Sequence, residues 1–145
     1  MYVQVISLIE RLHCNYHGFI TQELDRIGAA DIHSIQAAIL LQIGDTKRSL
    51  NEIRNSTNYL GSNLSQIIKS LVSNGYLLHE RPHYDHRIVN VWLSDKGRQL
   101  YDHLTNMHHR YIKLFPEHES ISEIEGTICT LRQLEQFCID LELSG

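Results

Sequence analysis

The apolar residues of the first thirty positions recur at three- and four-residue steps, which is the period of an amphipathic α-helix. They run from Val5 to Ile27 and are followed by Gly28, a residue type that favours the left-handed end of a helix. The pattern predicts one helix of about seven turns. Such a helix is too long to pack along its whole length in a chain of 145 residues, so much of its apolar stripe is expected to meet a second subunit.

Similar patterns predict further helices on both sides of a central region of different character. Asp31 is expected to cap a second helix, which Gly44 ends. Ser94 is expected to begin a later helix, and Ser120 fits the first position of a capping box for the last one. The sequence therefore predicts a mainly helical chain.

The central region begins with two short helices joined by a turn. The first is predicted from Ser49 to Thr57 and the second from Leu60 to the residue before Gly75, with a turn through Asn58 and Tyr59. Apolar residues of the second helix keep to one face. The opposite face is polar and consists of Ser62, Asn63, Ser65, Gln66, Lys69 and Ser70. Amide, hydroxyl and lysine side chains can bond base edges, so this face is a candidate for DNA reading.

Two strands are predicted directly after these helices, Leu77 to Arg81 and Arg87 to Leu93, with Pro82 in their connection. An arginine at such a tip can enter a DNA minor groove, and a neighbouring carboxylate can hold it by a charge-assisted bond. The candidate contacts of the tip are Arg81, His83, Asp85, His86 and Arg87, with Asp85 expected to orient Arg87. A solvated hairpin loop is the alternative for these charges when the tip is taken alone.

The net charge of −4 is unevenly distributed along the chain. From Lys47 to Leu100 there are eight Lys and Arg residues and four acids, whereas the two ends hold five bases and thirteen acids. A basic centre carried by acidic flanks favours a phosphate-facing middle, although the balance is mild.

The central residues resemble the MarR family of bacterial winged-helix regulators. The stretch "DHRIVNVWLSDKG" matches that family's wing pattern D-x-R-x5-L-[ST]-x-x-G at Asp85, Arg87, Leu93, Ser94 and Gly97. The stretch "SNLSQIIKSLVSNGYL" resembles its recognition helix at Leu64, Leu71, Gly75 and Leu77. The outer helices match in order and length.

This resemblance implies a mainly α fold with a small β-hairpin, a winged helix-turn-helix flanked by N- and C-terminal dimerisation helices. The whole chain, 1–145, is expected to form one MarR-like domain. Its expected parts are dimerisation helices at 1–30 and 116–145, a DNA-binding lobe at 45–97 and a connecting helix at 94–115. The resemblance further implies a homodimeric repressor on a palindromic double-stranded DNA operator, released by a small-molecule effector.

The signal that such a regulator would sense stays open. A small organic effector is expected near Cys14, Tyr16, His17, Phe19 and Ile39. Metal sensing is an alternative, because His13 and His17 have the spacing of metal ligands on a helix. Further histidines occur on the fifth helix, at His103, His108 and His109. No convincing third and fourth ligands accompany either group, so no metal site is assigned. Redox sensing by Cys14 is another alternative, although Cys14 lies about one turn from the position that the resemblance implies.

Other classes of protein fit the sequence less well. No G-x-S-x-G, P-loop, H-E-x-x-H or paired-carboxylate motif occurs, so neither an enzyme nor a cofactor is predicted. No apolar run approaches the roughly 18 residues of a membrane helix, and no leader is recognisable, so a cytoplasmic protein without a membrane partner is expected. A winged-helix module that binds only other proteins remains a rival to DNA binding.

Overall fold

The structure is a computed structural model that describes residues 1–57, 62–114 and 121–144. Within these stretches the chain forms six helices and three short strands. Their bounds, in chain order, are α1 Tyr2–Ile27, α2 Ser34–Ile43, β1 Arg48–Ser49, α3 Leu50–Ser56, α4 Ser62–Ser73, β2 Leu77–Glu80, β3 Asn90–Leu93, α5 Asp95–Leu114 and α6 Ile121–Ser144. None of the helices in the described stretches is long and apolar enough to cross a membrane.

Two compact units make up the chain, Met1–Arg110 and Tyr111–Gly145. The core of the first unit is built around α2, most of whose residues are buried. The C-terminal half of α1 packs on α2 through Ile20 and Leu24. Most of the remaining buried apolar side chains come from α3, α4, the sheet and α5, namely Ile53, Leu64, Ile68, Leu71, Leu77, Val91, Leu93, Leu100, Leu104 and Met107, and the connections add Ile32 and Tyr76.

The long first helix is confirmed, and so is its end. Gly28 adopts a φ of 72°, and its N–H bonds back to the carbonyls of the last turn. The N-terminal half of α1 lies outside the core and leaves Leu8, Ile9 and Leu12 exposed.

The second helix begins differently from the sequence prediction. His33 is the N-cap of α2, and its N–H donates to Oε1 of Gln36 at 3.1 Å. Asp31 was expected to cap this helix, and that prediction is wrong. The Asp31 carboxylate accepts instead from the Tyr76 hydroxyl and from the Lys96 ammonium group. The bond from Lys96 joins two ionised groups, and bonds of this kind are among the strongest that a carboxylate accepts.

Helix α3 has the reciprocal cap that its sequence favours. The Ser49 hydroxyl accepts from the N–H of Glu52, and the Glu52 carboxylate accepts from the N–H of Ser49 at 2.8 Å. The turn predicted through Asn58 and Tyr59, with the start of the next helix at Leu60, lies outside the described residues. Helix α4 is described from Ser62 and is followed by Gly75, whose φ is 79°.

The sheet is antiparallel and has the order β1-β3-β2. Its two longer strands are shorter than predicted, because residues 81–89 form the connection rather than continuing the ladder. Pro82 has no N–H to donate, and turn bonds join Asp85 N–H to the Pro82 carbonyl and Ile88 N–H to the Asp85 carbonyl. The two-residue strand β1 was not predicted, since it is too short to show an alternating pattern. It pairs Arg48 with Val91.

The wing returns to the helices at a close contact. Oγ of Ser94 accepts from the N–H of Gly97 at 3.0 Å, so Ser94 caps α5 as expected. A Cβ atom at Gly97 would lie 2.0 Å from the carbonyl oxygen of Tyr76. Only glycine fits this position, which gives a physical reason for the last residue of the wing motif.

The second unit contains α6, a helix of 24 residues. The capping box predicted from Ser120 lies outside the described residues. Apolar side chains exposed along α6 include Ile124, Ile128, Leu131, Phe137, Ile139, Leu141 and Leu143.

Candidate DNA-binding surface

Helix α4 has one buried face and one polar face. Leu64 and Leu71 are almost fully buried. Asn63, Gln66 and Lys69 are exposed and Ser65 is half-buried. The side chain of Ser62 lies outside what the structure describes. The face that the sequence singled out therefore has at least three side chains directed to solvent, and amide and ammonium groups of this kind can bond base edges and phosphates.

The sixth member of that polar face has an internal contact instead. Ser70 is half-buried, and its hydroxyl accepts from Nε2 of Gln36 at 2.9 Å. Gln36 is buried, and its Oε1 accepts from the N–H of His33. This amide joins the start of α2 to the middle of α4, which fixes the orientation of the polar face relative to the core.

The tip of the wing, defined as residues 81–89 between β2 and β3, presents Arg87. Oδ1 of Asp85 accepts from the backbone N–H of Arg87 at 3.0 Å and from its Nε at 3.2 Å. The Arg87 side chain is 92% exposed, whereas that of Asp85 is 29% exposed. The contact expected from the sequence is present. Oδ2 of Asp85 also accepts from Nη2 of Arg87 at 3.5 Å, so Asp85 binds one edge of the guanidinium while most of the Arg87 side chain remains in solvent.

Arg81, another candidate DNA contact, is exposed and also makes a bond within the tip. Its Nη1 donates to the carbonyl oxygen of His86 at 2.7 Å. This bond closes the tip from one side to the other. Arg81 therefore supports the loop that carries Arg87.

Three further residues of the tip have aromatic rings, namely His83, Tyr84 and His86. The rings of His83 and His86 are perpendicular, with centroids 6.4 Å apart. Tyr84, between them, is 84% exposed, although tyrosine usually buries part of its ring. Sequence reasoning missed Tyr84, and the available signal was a large aromatic residue placed among charged residues at a turn.

The base of the wing is held by Lys47, just before β1. Its ammonium group forms an ion pair with Glu80 on β2 and lies 4.5 Å from the centre of the Trp92 ring. Trp92 is half-buried, and a cation–π contact near the surface contributes about 0.5–1 kcal/mol. Lys47 thus connects the strands that carry the tip.

Asp31, Tyr76 and Lys96 form a cluster that joins the α1–α2 connection, the α4–β2 connection and the start of α5. The Tyr76 hydroxyl donates to Asp31 at 2.6 Å, and the Lys96 Nζ donates to Asp31 and to the Asn74 carbonyl. The bonds from Lys96 and Tyr76 lower the pKa of Asp31, and burial together with Asp31 raises the pKa of Tyr76. The cluster borders a cleft of about 260 Å³ that His103 also lines.

The residues proposed from the sequence as an effector site lie in several environments. Tyr16 and His17 are half-buried, Cys14 is exposed, Phe19 is half-exposed and Ile39 is fully buried. His108 on α5 approaches them, since its ring lies 5.7 Å from that of Tyr16.

The two groups of histidines differ in their surroundings. Nε2 of His13 and Nε2 of His17 are 3.1 Å apart, whereas His103 lines the cleft beside Asp31. Burial, and to a smaller extent His13, lowers the pKa of His17. No group of three or more His, Cys, Asp or Glu side chains suited to a metal ion occurs among the described residues.

Glu23 is a buried charged residue that the sequence did not predict, because its position in the helical pattern of α1 falls on the polar face. Its carboxylate is 5% exposed and accepts from Arg26 and, at 3.1 and 3.2 Å, from Arg110 on α5. These arginines lower the pKa of Glu23 to about 2. The cluster links α1 to α5 within the first unit.

The sequence model of the family described as "Transcriptional regulator SarA/Rot" matches residues 29–104, just over half of the chain. The matched range extends from the end of α1 into α5 and includes α4 and the wing. The chain belongs to this MarR-like family of transcriptional regulators. The family and the fold are those of a transcription regulator, a class that is typically non-enzymatic.

A curated relative is the exopolysaccharide II synthesis transcriptional activator ExpG of Rhizobium meliloti (strain 1021). It is 34% identical over 99 residues, which is 68% of this chain and 51% of that protein. The chain therefore spans about half the length of the curated relative that it matches.

Solved structures have the same fold. The transcriptional regulator SlyA matches with a TM-score of 0.81 and 14% identity, over 97% of this chain and 99% of that one. The Staphylococcus aureus MepR–DNA complex matches with a TM-score of 0.75 and 17% identity, over 94% and 97%. These matches confirm the winged helix-turn-helix that the sequence predicted, and the small sheet has three strands where a hairpin was expected.

Proposed function

We propose that the chain is a homodimeric repressor that binds a palindromic DNA operator in the cytoplasm and is released by a small-molecule effector. The observation that carries the proposal is the wing tip, where Arg87 is almost fully exposed and is held by Asp85. An arginine presented in this way fits the narrow, electronegative minor groove.

Helix α4 is the proposed reader of the major groove. Asn63 and Gln66 have the amide geometry that bonds adenine in two places, and Lys69 suits guanine or phosphate. Ser62 and Ser65 are proposed as further contacts of the same face. His83 and His86 are proposed to contact phosphates beside Arg87, with Arg81 and Asp85 holding the tip in shape. The MepR–DNA complex, which has this fold, supports DNA as the partner.

A second copy of the chain is the proposed partner for the outer helices. Leu8, Ile9 and Leu12 are exposed along α1, and α6 exposes an apolar residue on nearly every turn. Monomeric proteins rarely expose contiguous apolar stripes of this length. Two copies would place two α4 helices about one turn of DNA apart, so that the operator has the symmetry of the dimer.

The proposed effector site comprises Cys14, Tyr16, His17, Phe19 and Ile39. In the proposed dimer, the distance between the two DNA-binding lobes decides how well DNA fits. An effector weakens DNA binding only to the extent that it binds more tightly to the conformation whose lobe spacing fits DNA poorly. The alternative is that a metal ion or an oxidant releases the DNA. The candidate residues for that response are His13, His17, His103, His108 and Cys14.

Activation is the second candidate for the direction of control. It is favoured by the curated relative ExpG, which is described as a transcriptional activator. The two directions differ in where the operator lies, because a repressor overlaps the promoter whereas an activator binds beside it. A promoter fusion measured with and without the protein decides between them.

Selection of bound duplexes from a random library tests the proposal. We expect enrichment of a palindrome with half-sites about 10 base pairs apart, bound by two chains. Enrichment of no sequence over random duplex would contradict it and would favour the protein-only interaction module. Compounds can then be screened for release of the enriched duplex.

A further inference from the structure

Two histidine side chains converge on one flank of α1. His13 and His17 are four residues apart, a spacing that places them one above the other on a helix. Their Nε2 atoms are 3.1 Å apart, and their rings meet edge to face with centroids at 4.5 Å. The two Nε2 atoms face each other at hydrogen-bond distance, so one ring donates its N–H to the other.

The separation of these atoms suits a shared metal ion. Imidazole nitrogens bind zinc at about 2.0–2.1 Å, so two of them on one tetrahedral or octahedral ion lie roughly 2.9–3.4 Å apart. The observed 3.1 Å falls within that interval. A bound ion would replace the hydrogen bond between the two Nε2 atoms, with both imidazoles neutral and each Nε2 turned toward the ion.

We propose that His13 and His17 form a two-ligand chelate site for one late divalent transition-metal ion, such as Zn²⁺ or Ni²⁺. Neutral imidazole is a good ligand for these ions. No third His, Cys, Asp or Glu joins the pair in the part of the chain that the structure describes, so water would complete the coordination. The Nδ1 of nearby His108 donates to the Leu104 carbonyl, and His108 does not form a three-ligand group with the pair among the described residues.

The pair lies on a different flank of α1 from two leucines of the surface proposed for the second subunit. At about 100° per residue, His13 and His17 lie roughly 100–180° round the helix from Leu8 and Leu12, whereas Ile9 precedes His13 by one turn on the same flank. Both proposed ligands belong to one chain, so Zn²⁺ binding can be measured on the protein without DNA.

The surroundings of His17 set the expected strength of the site. Its Nδ1 is buried and has no hydrogen-bond partner among the described residues. A metal-bound histidine is usually oriented by a bond to its other nitrogen, and loss of such a bond weakens affinity about 10–100-fold. We therefore expect a site weaker than a four-ligand structural zinc site.

A spacing variant supplies the matched control. Gly18 has open space where a Cβ atom would be placed, so a side chain is accommodated there. The double substitution His17→Ala, Gly18→His leaves the number of histidines in the chain at ten but moves the second ligand to the next position. That position lies about 140° round the helix from His13, too far for a shared ion.

Zn²⁺ titration of the reduced full chain against a chromophoric chelator tests the site. We expect one Zn²⁺ per wild-type chain, and binding weaker by about tenfold or more in both His17→Gln and the spacing variant, because the second ligand no longer acts at high effective concentration. Wild-type affinity and stoichiometry in the spacing variant would overturn the proposal.

A measurement on the unsubstituted chain covers the case in which a variant folds poorly. Diethyl pyrocarbonate labels accessible imidazoles, and labelled peptides are quantified with and without Zn²⁺. We expect Zn²⁺ to protect His13 and His17 and to leave the exposed His103 and His109 labelled. Equal labelling of His13 and His17 in both conditions would overturn the proposal.

Discussion

Gly97 joins the wing to the helix that follows it, and its lack of a side chain is a steric requirement. A Cβ atom there would approach the Tyr76 carbonyl oxygen to 2.0 Å, far inside contact distance. The Tyr76 carbonyl also accepts from the N–H of Ser94, so it cannot move away without breaking the start of α5.

Gly97→Ala is expected to lower the free energy of unfolding by about 3 kcal/mol, because overpacking a close contact has costs of this order. The matched control is Gly18→Ala on α1, where a Cβ atom meets nothing within 4 Å. Alanine in an open helical position raises stability by about 0.5–1 kcal/mol. Urea unfolding of the two variants checks both results, and equal effects would refute the steric account.

Glu23 gives the first unit a pH dependence whose direction follows from its pKa. The folded value of about 2 lies below the ordinary value of 4.5, so the stabilisation is complete above pH 4.5 and is lost as the pH falls toward 2. We expect Glu23→Gln to lower the free energy of unfolding at pH 7 by about 1–2 kcal/mol. This value allows for solvent screening, because Arg26 and Arg110 are half-exposed.

Urea unfolding of wild type and Glu23→Gln at pH 7, 5 and 3 measures this effect. The difference between them should shrink between pH 5 and pH 3. Glu10→Gln, which alters an exposed carboxylate on the same helix, should show no comparable change. A constant difference at all three pH values for Glu23→Gln would contradict the ion-pair account.

At the scale of elements, the order of helices and the polar face of α4 were predictable because both rest on periodic patterns. Features fixed by contacts between distant segments were not. Asp31 has a sequence position typical of a helix cap, yet it binds Tyr76 and Lys96, which are more than forty residues away. Strand β1 and the buried charge of Glu23 likewise depend on partners that local sequence does not reveal.

Among the exposed side chains of α4, some are expected to determine which DNA sequence is bound and others to raise the affinity for any duplex. Asn63→Ala should relax discrimination at one base pair by about 1–3 kcal/mol, since an amide reads base edges. Lys69→Ala should weaken all duplexes alike and reduce the salt dependence by about one phosphate contact. Competition with operators that carry single base changes separates these effects, and identical profiles for the two variants would contradict the assignment.

At the scale of the whole molecule, charge and apolar surface are separated along the chain. The basic residues concentrate between Lys47 and Leu100, which includes α4 and the wing. Exposed apolar side chains concentrate on the N-terminal half of α1 and on α6. This division fits a molecule that faces DNA with its middle and a second copy with its ends.

Leu12→Asp is expected to weaken the dimer by about two orders of magnitude, because an unpaired carboxylate would be buried at the interface. Leu78→Asp makes the same change at an exposed leucine of β2, outside α1 and α6, and should leave the dimer intact. Sedimentation equilibrium measures both. A Leu12→Asp protein that dimerises like wild type would contradict the proposed interface.

The most direct test of the account is the operator affinity of Arg87→Ala, measured by fluorescence anisotropy on the duplex enriched by selection. Arg132→Ala removes the same charge from an exposed position on α6 and is the matched control. We predict that Arg87→Ala weakens binding about tenfold and lowers its salt dependence, while Arg132→Ala binds like wild type and both remain dimers. Equal affinity of Arg87→Ala and wild type would contradict the role of the wing.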